Sequence, residues 1–363
     1  MKLDPGRRSI IPLLVGIAVA APAAASASWT VKGHGFGHGV GLSQYGAFGF
    51  AEHGKNYRQI LAHYYTGTEL GKASGRVRVL LRSGAGSVGF SRASTACGEP
   101  IKSGRSYEFV AAGRSVELRG PGGGRVASCG KRAKAGTTVK VAGEGTYRGS
   151  LLAIADDGEL LVINELGLED YVRGVVANEV PASWPKQALR SQAVVARSYG
   201  IATERSGPFD HYDNTRSQVY GGKSSETKAT NAAVKATGRE VVTHRGETAI
   251  TYYFSTSGGR TENSEFGFSG GNKIPYLKSV ADPFDDVSPV HTWTERLSDE
   301  KMEAELTGLF SGQLRRIKIL ESGKSPRIVR ARVVGSSGSE AVTGETLRNR
   351  LGLRSTWARF VHR

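Results

Sequence analysis

Cysteine is nearly absent: Cys97 and Cys129 stand alone in 363 residues. That scarcity excludes a disulfide-dense scaffold, and two cysteines so far apart, with no histidine beside them, make a poor metal site. In an exported chain the pair most simply forms one disulfide, with two free buried thiols as the plainer alternative. Long apolar runs are missing after residue 27, so no later stretch is expected to span a bilayer. Acids are in the minority, 33 against 49 Lys and Arg, for a formal charge of +16. An anionic partner is favoured, with a generally solvated basic surface as the alternative. No basic run carries interleaved aromatics, so a nucleic-acid reader is not expected. None of the glycine-rich turns has the Lys-Ser/Thr pair of a phosphate loop.

What is present begins with a leader. Residues 1–27 read as a secretory signal peptide, with Lys2, Arg7 and Arg8 before an apolar run from Ile10 to Ala20 and a small-residue site at Ala25-Ser26-Ala27. An uncleaved anchor is the alternative, but the run is short for a spanning helix. Cleavage removes three bases and one acid, leaving +14. The mature protein is then expected to be secreted or otherwise extracytoplasmic, and associated with a cell wall or membrane surface.

The organising stretch is Asn178 to Tyr199, NEVPASWPKQALRSQAVVARSY. Pro181 and Pro185 hold the turn around Ser183 and Trp184 extended. After Pro185 a helix is expected, with Ala188, Leu189, Gln192, Ala193, Ala196 and Tyr199 on one stripe. Leu168 to Val176 also has helical spacing. Glu179 therefore falls at the mouth of a helix–turn–helix whose far side, Val180, Pro181 and Trp184, is apolar. A carboxylate there is a candidate general acid/base with a raised pKa. A helix cap or an ion pair with an arginine is the competing reading. Arg197 lies on the following helix, placed to orient a ligand or the carboxylate.

Three blocks are expected. Residues 28–71 open with GHGFGHGVGLSQYGA, in which alternate glycines impose tight backbone paths around His34 and His38. Their spacing could suggest a metal, but no acid or cysteine completes a set, so both are read as groove-lining groups that hydrogen-bond a polar ligand. Short helices are expected after them, including Tyr57 to Tyr65 with Ile60, Leu61 and Tyr64 buried. Residues 72–165 read as seven short strands between glycine-rich turns, a small barrel or sandwich. Residues 166–363 hold the helix pair and then TYYFSTSGGRTENSE, which crowds hydroxyls around a Ser-Gly-Gly turn in a manner suited to a sugar. An ordinary turn is the alternative there. The fold class is α+β.

Together, these three motifs resemble the SpoIID/LytB family, that of stage II sporulation protein D and amidase enhancers. The resemblance implies a groove for peptidoglycan glycan strands and no cofactor. In some members it implies lytic transglycosylase activity on peptide-stripped strands, leaving 1,6-anhydro-muramyl ends. In others it implies enhancement of a partner cell-wall amidase. A hydrolase yielding reducing ends is a third, weaker reading. Matched to the family's motifs, Glu179 is the catalytic acid and Arg197 its arginine. His38 and Gln44 line the groove, and Tyr253, Ser255 and Ser257 belong to the Ser/Gly turn. Ser183, Trp184, His34 and His211 complete the substrate-binding candidates. The family's zinc-binding cysteines are missing from DHYDNTRSQVY, so no metal is expected and the role of His211 is open. The motif order is circularly permuted: the glycine–histidine motif comes first, while the chain ends in GETLRNRLGLRSTWARF, the segment that normally leads into it. Neighbouring termini would let the same groove form.

Overall fold

A computed structural model describes residues 28–363; the expected leader lies outside them. The fold is α+β. Its helical centre is a set of five helices, α1 (Gln44–Glu52), α2 (Tyr57–Tyr64), α3 (Leu168–Glu179), α4 (Lys186–Ala202) and α5 (Lys228–Ala236). α4 is the hub. The apolar stripe expected on it is buried except for Tyr199, which is half-buried; Val194, Val195, Arg197 and Ser198 are buried too, so the helix is covered on nearly every side. Small residues make this possible. Ala193 and Ala196 belong to the core cluster shared with α3, while Val194 and Val195 belong to the one shared with α1 and α2. The α3–α4 turn follows the prolines, with Val180 ending α3 in an extended conformation and Pro185 preceding the first residue of α4.

The strands expected over 72–165 are all present. They form one long sheet, in which Arg132–Val141, Gly145–Asp156, Glu159–Gly167 and Arg76–Ala85 are successive antiparallel neighbours. The sheet curls, so that Phe109, Val116 and Leu118 from one end join Val77, Val162 and Leu166 from the other in a single core. Leu168, Tyr171 and Val175 of α3 extend that same core. Cys97 and Cys129 are bonded within this region, with Cα atoms 5.5 Å apart.

The two described ends of the chain meet. Strand Ser28–His34 lies between Thr292–Ser298 and Ala358–His362, antiparallel to both. Ser28 N donates to Arg363 O at 3.0 Å and Arg363 N to Ser28 O at 3.1 Å. The C-terminal segment therefore runs beside the strand that feeds the glycine–histidine loop, as the permuted order requires. Buried Arg327 ties the same region together: its guanidinium donates to Ser257 O and Arg260 O. Burial lowers its pKa to about 10.

Candidate functional site

Glu179 is the last residue of α3 and lines a cleft of about 460 Å³. Four segments build the cleft. The glycine loop gives Phe36, Gly37 and His38; the start of α1 gives Gln44; the loop 213–219 gives Thr215, Ser217 and Val219; and residues 252–255 give Tyr252, Tyr253, Phe254 and Ser255. Tyr199 and Phe268 complete it. Two of these segments are held in register by a short parallel pairing, Tyr253 with Leu42 and Phe254 with Ser43. Ser43 also caps α1 through a hydrogen bond from Gly46 N. That pairing puts Gln44 beside Tyr253. The close approach needs glycine: Gly41 has φ +81°, and a Cβ there would lie 2.0 Å from Tyr252 O.

The carboxylate is half-buried, and burial raises its pKa above the ordinary range. Its position in the last turn of α3 puts it at the negative end of the helix dipole, which disfavours ionisation further. Hydrogen bonds work the other way: Val219 N donates to Oε1 at 2.9 Å, and the Tyr253 hydroxyl faces the carboxylate. Gln44 Nε2 reaches the Glu179 carbonyl at 3.3 Å. Tyr253 is itself positioned by Gln218, whose Nε2 donates to its hydroxyl, while Gln218 Oε1 accepts from Tyr171 OH.

Glu179 is the one acid among the residues lining the cleft. Four further acids, Asp210, Asp213, Glu262 and Glu265, lie outside that lining. Asp210 is held by Arg78, which donates to it from Nε, Nη2 and the backbone N. Glu262 is fully buried and accepts from Lys324 N, Ser325 N and Ser325 Oγ. Glu265 accepts from Asn263 and Asp213 from Asn214, and neither lines the cleft.

The candidates divide. His38, Gln44, Tyr253 and Ser255 share the cleft with Glu179. His38 corrects an expectation, because its nitrogens are not available to a ligand. Nδ1 accepts from Val40 N and Nε2 donates to Tyr253 O, both at 3.1 Å. Burial, the largest cause, pushes its pKa down to about 3, so the ring is neutral and presents only its face.

Arg197 is a second correction. It is completely buried and forms a bidentate pair with Glu169, at 2.6 and 3.0 Å, and it donates to Glu240 O. These bonds join the start of α3, α4 and strand Glu240–His244, away from the cleft. His211 is buried too, with Nε2 bonded to Gly200 O and its ring stacked on Tyr171. Ser257 is fully buried and donates to Asp285. His34 stacks on Trp357 at 4.8 Å, and Trp184 packs against Tyr45 and Phe48. Ser183 is exposed on the turn. None of His34, Ser183, Trp184, Arg197, His211 or Ser257 lines the cleft.

Sequence reasoning missed Phe36, Thr215, Ser217 and Gln218. Thr215 and Ser217 sit in DHYDNTRSQVY, where their hydroxyl-rich spacing is the available signal.

A family model, SpoIID, described as stage II sporulation protein, matches residues 156–244. That interval holds α3, α4 and Glu179, but neither the glycine–histidine loop nor residues 252–255. Stage II sporulation protein D of Bacillus subtilis is 30% identical over 213 residues, covering 53% of this chain and 60% of the relative. An uncharacterized protein of Brachyspira hyodysenteriae is 36% identical over 164 residues, 44% of each chain. The amidase enhancer of Bacillus subtilis is 39% identical over 133 residues, 36% of this chain and 17% of the relative. The chain thus spans less than two thirds of each of these relatives' lengths.

Proposed function

We propose, from the premise that residues 156–244 place this chain in the SpoIID family, that it acts on the cell wall as a peptidoglycan lytic transglycosylase. The carrying observation is the single, pKa-raised carboxylate in the cleft. A water-using glycosidase ordinarily needs two acids at a set separation. A transglycosylase needs one, because the attacking group belongs to the sugar. Protonated Glu179 donates to the glycosidic oxygen as that bond breaks. The resulting carboxylate then takes the proton from the sugar's C6 hydroxyl as its oxygen bonds to C1. The acid returns to its starting state and the product carries a 1,6-anhydro ring.

The rest of the cleft suits this chemistry. Phe36, exposed at the rim, and Phe254 and Phe268 within offer faces to the sugar's C–H edges. Thr215, Ser217 and Ser255 offer hydroxyls to its substituents. A peptide-free strand would be the substrate, in an extracytoplasmic setting that the disulfide favours. Among the described residues no helix is long and apolar enough to cross a membrane.

The similarity to an amidase enhancer supports a second reading, in which the cleft binds glycan and a partner amidase does the cutting. Mass analysis of peptide-stripped glycan after incubation with the protein separates the two. Anhydro-ended fragments that disappear in Glu179→Gln support the transglycosylase; binding with no new sugar ends supports the enhancer.

A further inference from the structure

The three-stranded sheet at the meeting of the chain's ends has two unlike faces. Side chains alternate across it. Trp29, Val31, Trp293, Leu297 and Ala358 point inward and are buried. The outward face is basic. Lys32 on the central strand stands directly opposite Arg359 on one side and Thr294 on the other. One step along, Thr30 stands between Arg296 and Val361, and Arg363 follows beside Ser28. These side chains line an open recess of about 400 Å³.

Like charges opposite one another on a sheet face are unfavourable, and this face does nothing to relieve them. Among the described residues, no carboxylate lies within 4.0 Å of Lys32, Arg296, Arg359 or Arg363, whereas Arg76, Arg78, Arg82 and Arg148 each have one. The two nearby acids are engaged elsewhere. Glu295 alternates to the inner face and approaches Arg354, and Asp299 bonds His362. Lys32 and Arg359 are adjacent across the strands at about 5 Å, Arg296 stands one pleat further along on the other neighbour, and Arg363 lies four residues, about 13 Å, beyond Arg359. Threonine hydroxyls lie between them, and each guanidinium can grip a phosphate with two N–H groups.

We propose that this face binds a linear phosphodiester polymer of the cell envelope. The face lacks the aromatic platforms on which single-stranded nucleic acid stacks. It also lacks the exposed large apolar side chains with which a membrane-binding face enters lipid. The central strand runs from Lys32 through His34 straight into the loop that gives the cleft Phe36 and His38. A polymer held on the sheet therefore tethers the protein with its cleft close by. This binding is independent of the chemistry proposed for Glu179.

The probe is poly(glycerol phosphate), with duplex DNA and vesicles containing anionic lipid as competitors. Four contacts give a log–log salt slope of about −3, so affinity falls roughly fifty-fold from 50 to 200 mM salt. Arg359→Glu places an acid opposite Lys32. It is expected to weaken polymer binding at least about tenfold while raising Tm, which separates lost binding from lost folding. Should that variant fold poorly, Lys32→Thr combined with Arg296→Thr removes two charges without adding an acid, and roughly halves the slope. Glu179→Gln must bind the polymer as the parent does, so failure of cleavage and failure of binding are read separately. Undiminished binding by the Arg359 and double variants, no binding by the parent at 50 mM salt, or equal affinity for duplex DNA or vesicles would overturn the proposal.

Discussion

Gln218 donates its side-chain N–H to the phenolic oxygen of Tyr253 at 3.1 Å, and Tyr171 fixes which way that amide faces by donating to its Oε1 at 3.0 Å. With its oxygen already accepting, the Tyr253 hydroxyl keeps its own proton for the Glu179 carboxylate. A hydrogen bond to a charged group of this kind supports the ionised form by about 1.5–3 kcal/mol. Removing it in Tyr253→Phe should raise the Glu179 pKa further and move the alkaline limb of cleavage to higher pH. Gln218→Leu should move it the same way by less, because the hydroxyl remains but is no longer aimed. A limb that stays put in both variants, or moves down, is incompatible with this relay.

The raised pKa of Glu179 also sets a sign for stability. The folded carboxyl holds its proton to higher pH than the unfolded one, so stability is lost as pH rises from the unfolded value of 4.5 through the folded value. Glu179→Gln removes that loss while keeping an oxygen for Val219 N. The variant should melt above the parent at pH 7 and level with it at pH 4, while cleavage drops roughly 10²–10⁴-fold. Melting curves at the two pH values decide it; equal Tm at pH 7 would mean the acid is not disfavoured in the fold.

Arg197 should behave as structure rather than chemistry. Its loss takes the side-chain donors from Glu169, which is part-exposed and keeps Arg239 N, and leaves the Glu240 carbonyl short of a donor inside the fold, a cost of about 1–3 kcal/mol. Arg197→Met is expected to lower Tm sharply. Whatever fraction stays folded at low temperature should cut glycan at close to the parental rate and with an unchanged pH profile. A stable Arg197→Met protein with lost activity would return this residue to the reaction.

These cases show what the sequence could and could not reveal. The position of Glu179 was legible because Pro181 and Pro185, just downstream of it, force the extended turn that ends α3, a local effect that does not depend on the rest of the fold. The strands of 72–165 and the buried side of α2 were legible through periodicity. Arg197 misled because an arginine one helix away can face a cleft or a core, and only the covering of α4 on nearly all sides decides. His38 misled for a similar reason. Imidazole among glycines suggests access, but here tight backbone turns bring Val40 N and Tyr253 O to both its nitrogens. The backbone N–H of Val219 on Glu179 has no side-chain signature at all.

The meeting of the chain's ends makes the permuted order reversible. Ser28 and Arg363 exchange backbone hydrogen bonds across the gap, so a short Gly/Ser linker can join them without stretching either strand. A new opening belongs between Ser74 and Gly75, both exposed, in the bend between strands Glu69–Lys72 and Arg76–Ala85. Just outside that cut, Ala73 N is held by Arg239 O, and Gly75 O accepts from Leu168 N, so each new end keeps an anchor. The rearranged chain places the glycine–histidine motif after GETLRNRLGLRSTWARF, with the segment through α1 and α2 at its C-terminal end. It is expected to fold with Tm a few degrees below the parent and to give the same glycan products, since Glu179, Gln44 and Tyr253 keep their partners. An insoluble product, or a folded one whose cleft no longer binds glycan, would show that the present order of segments is needed and not merely tolerated.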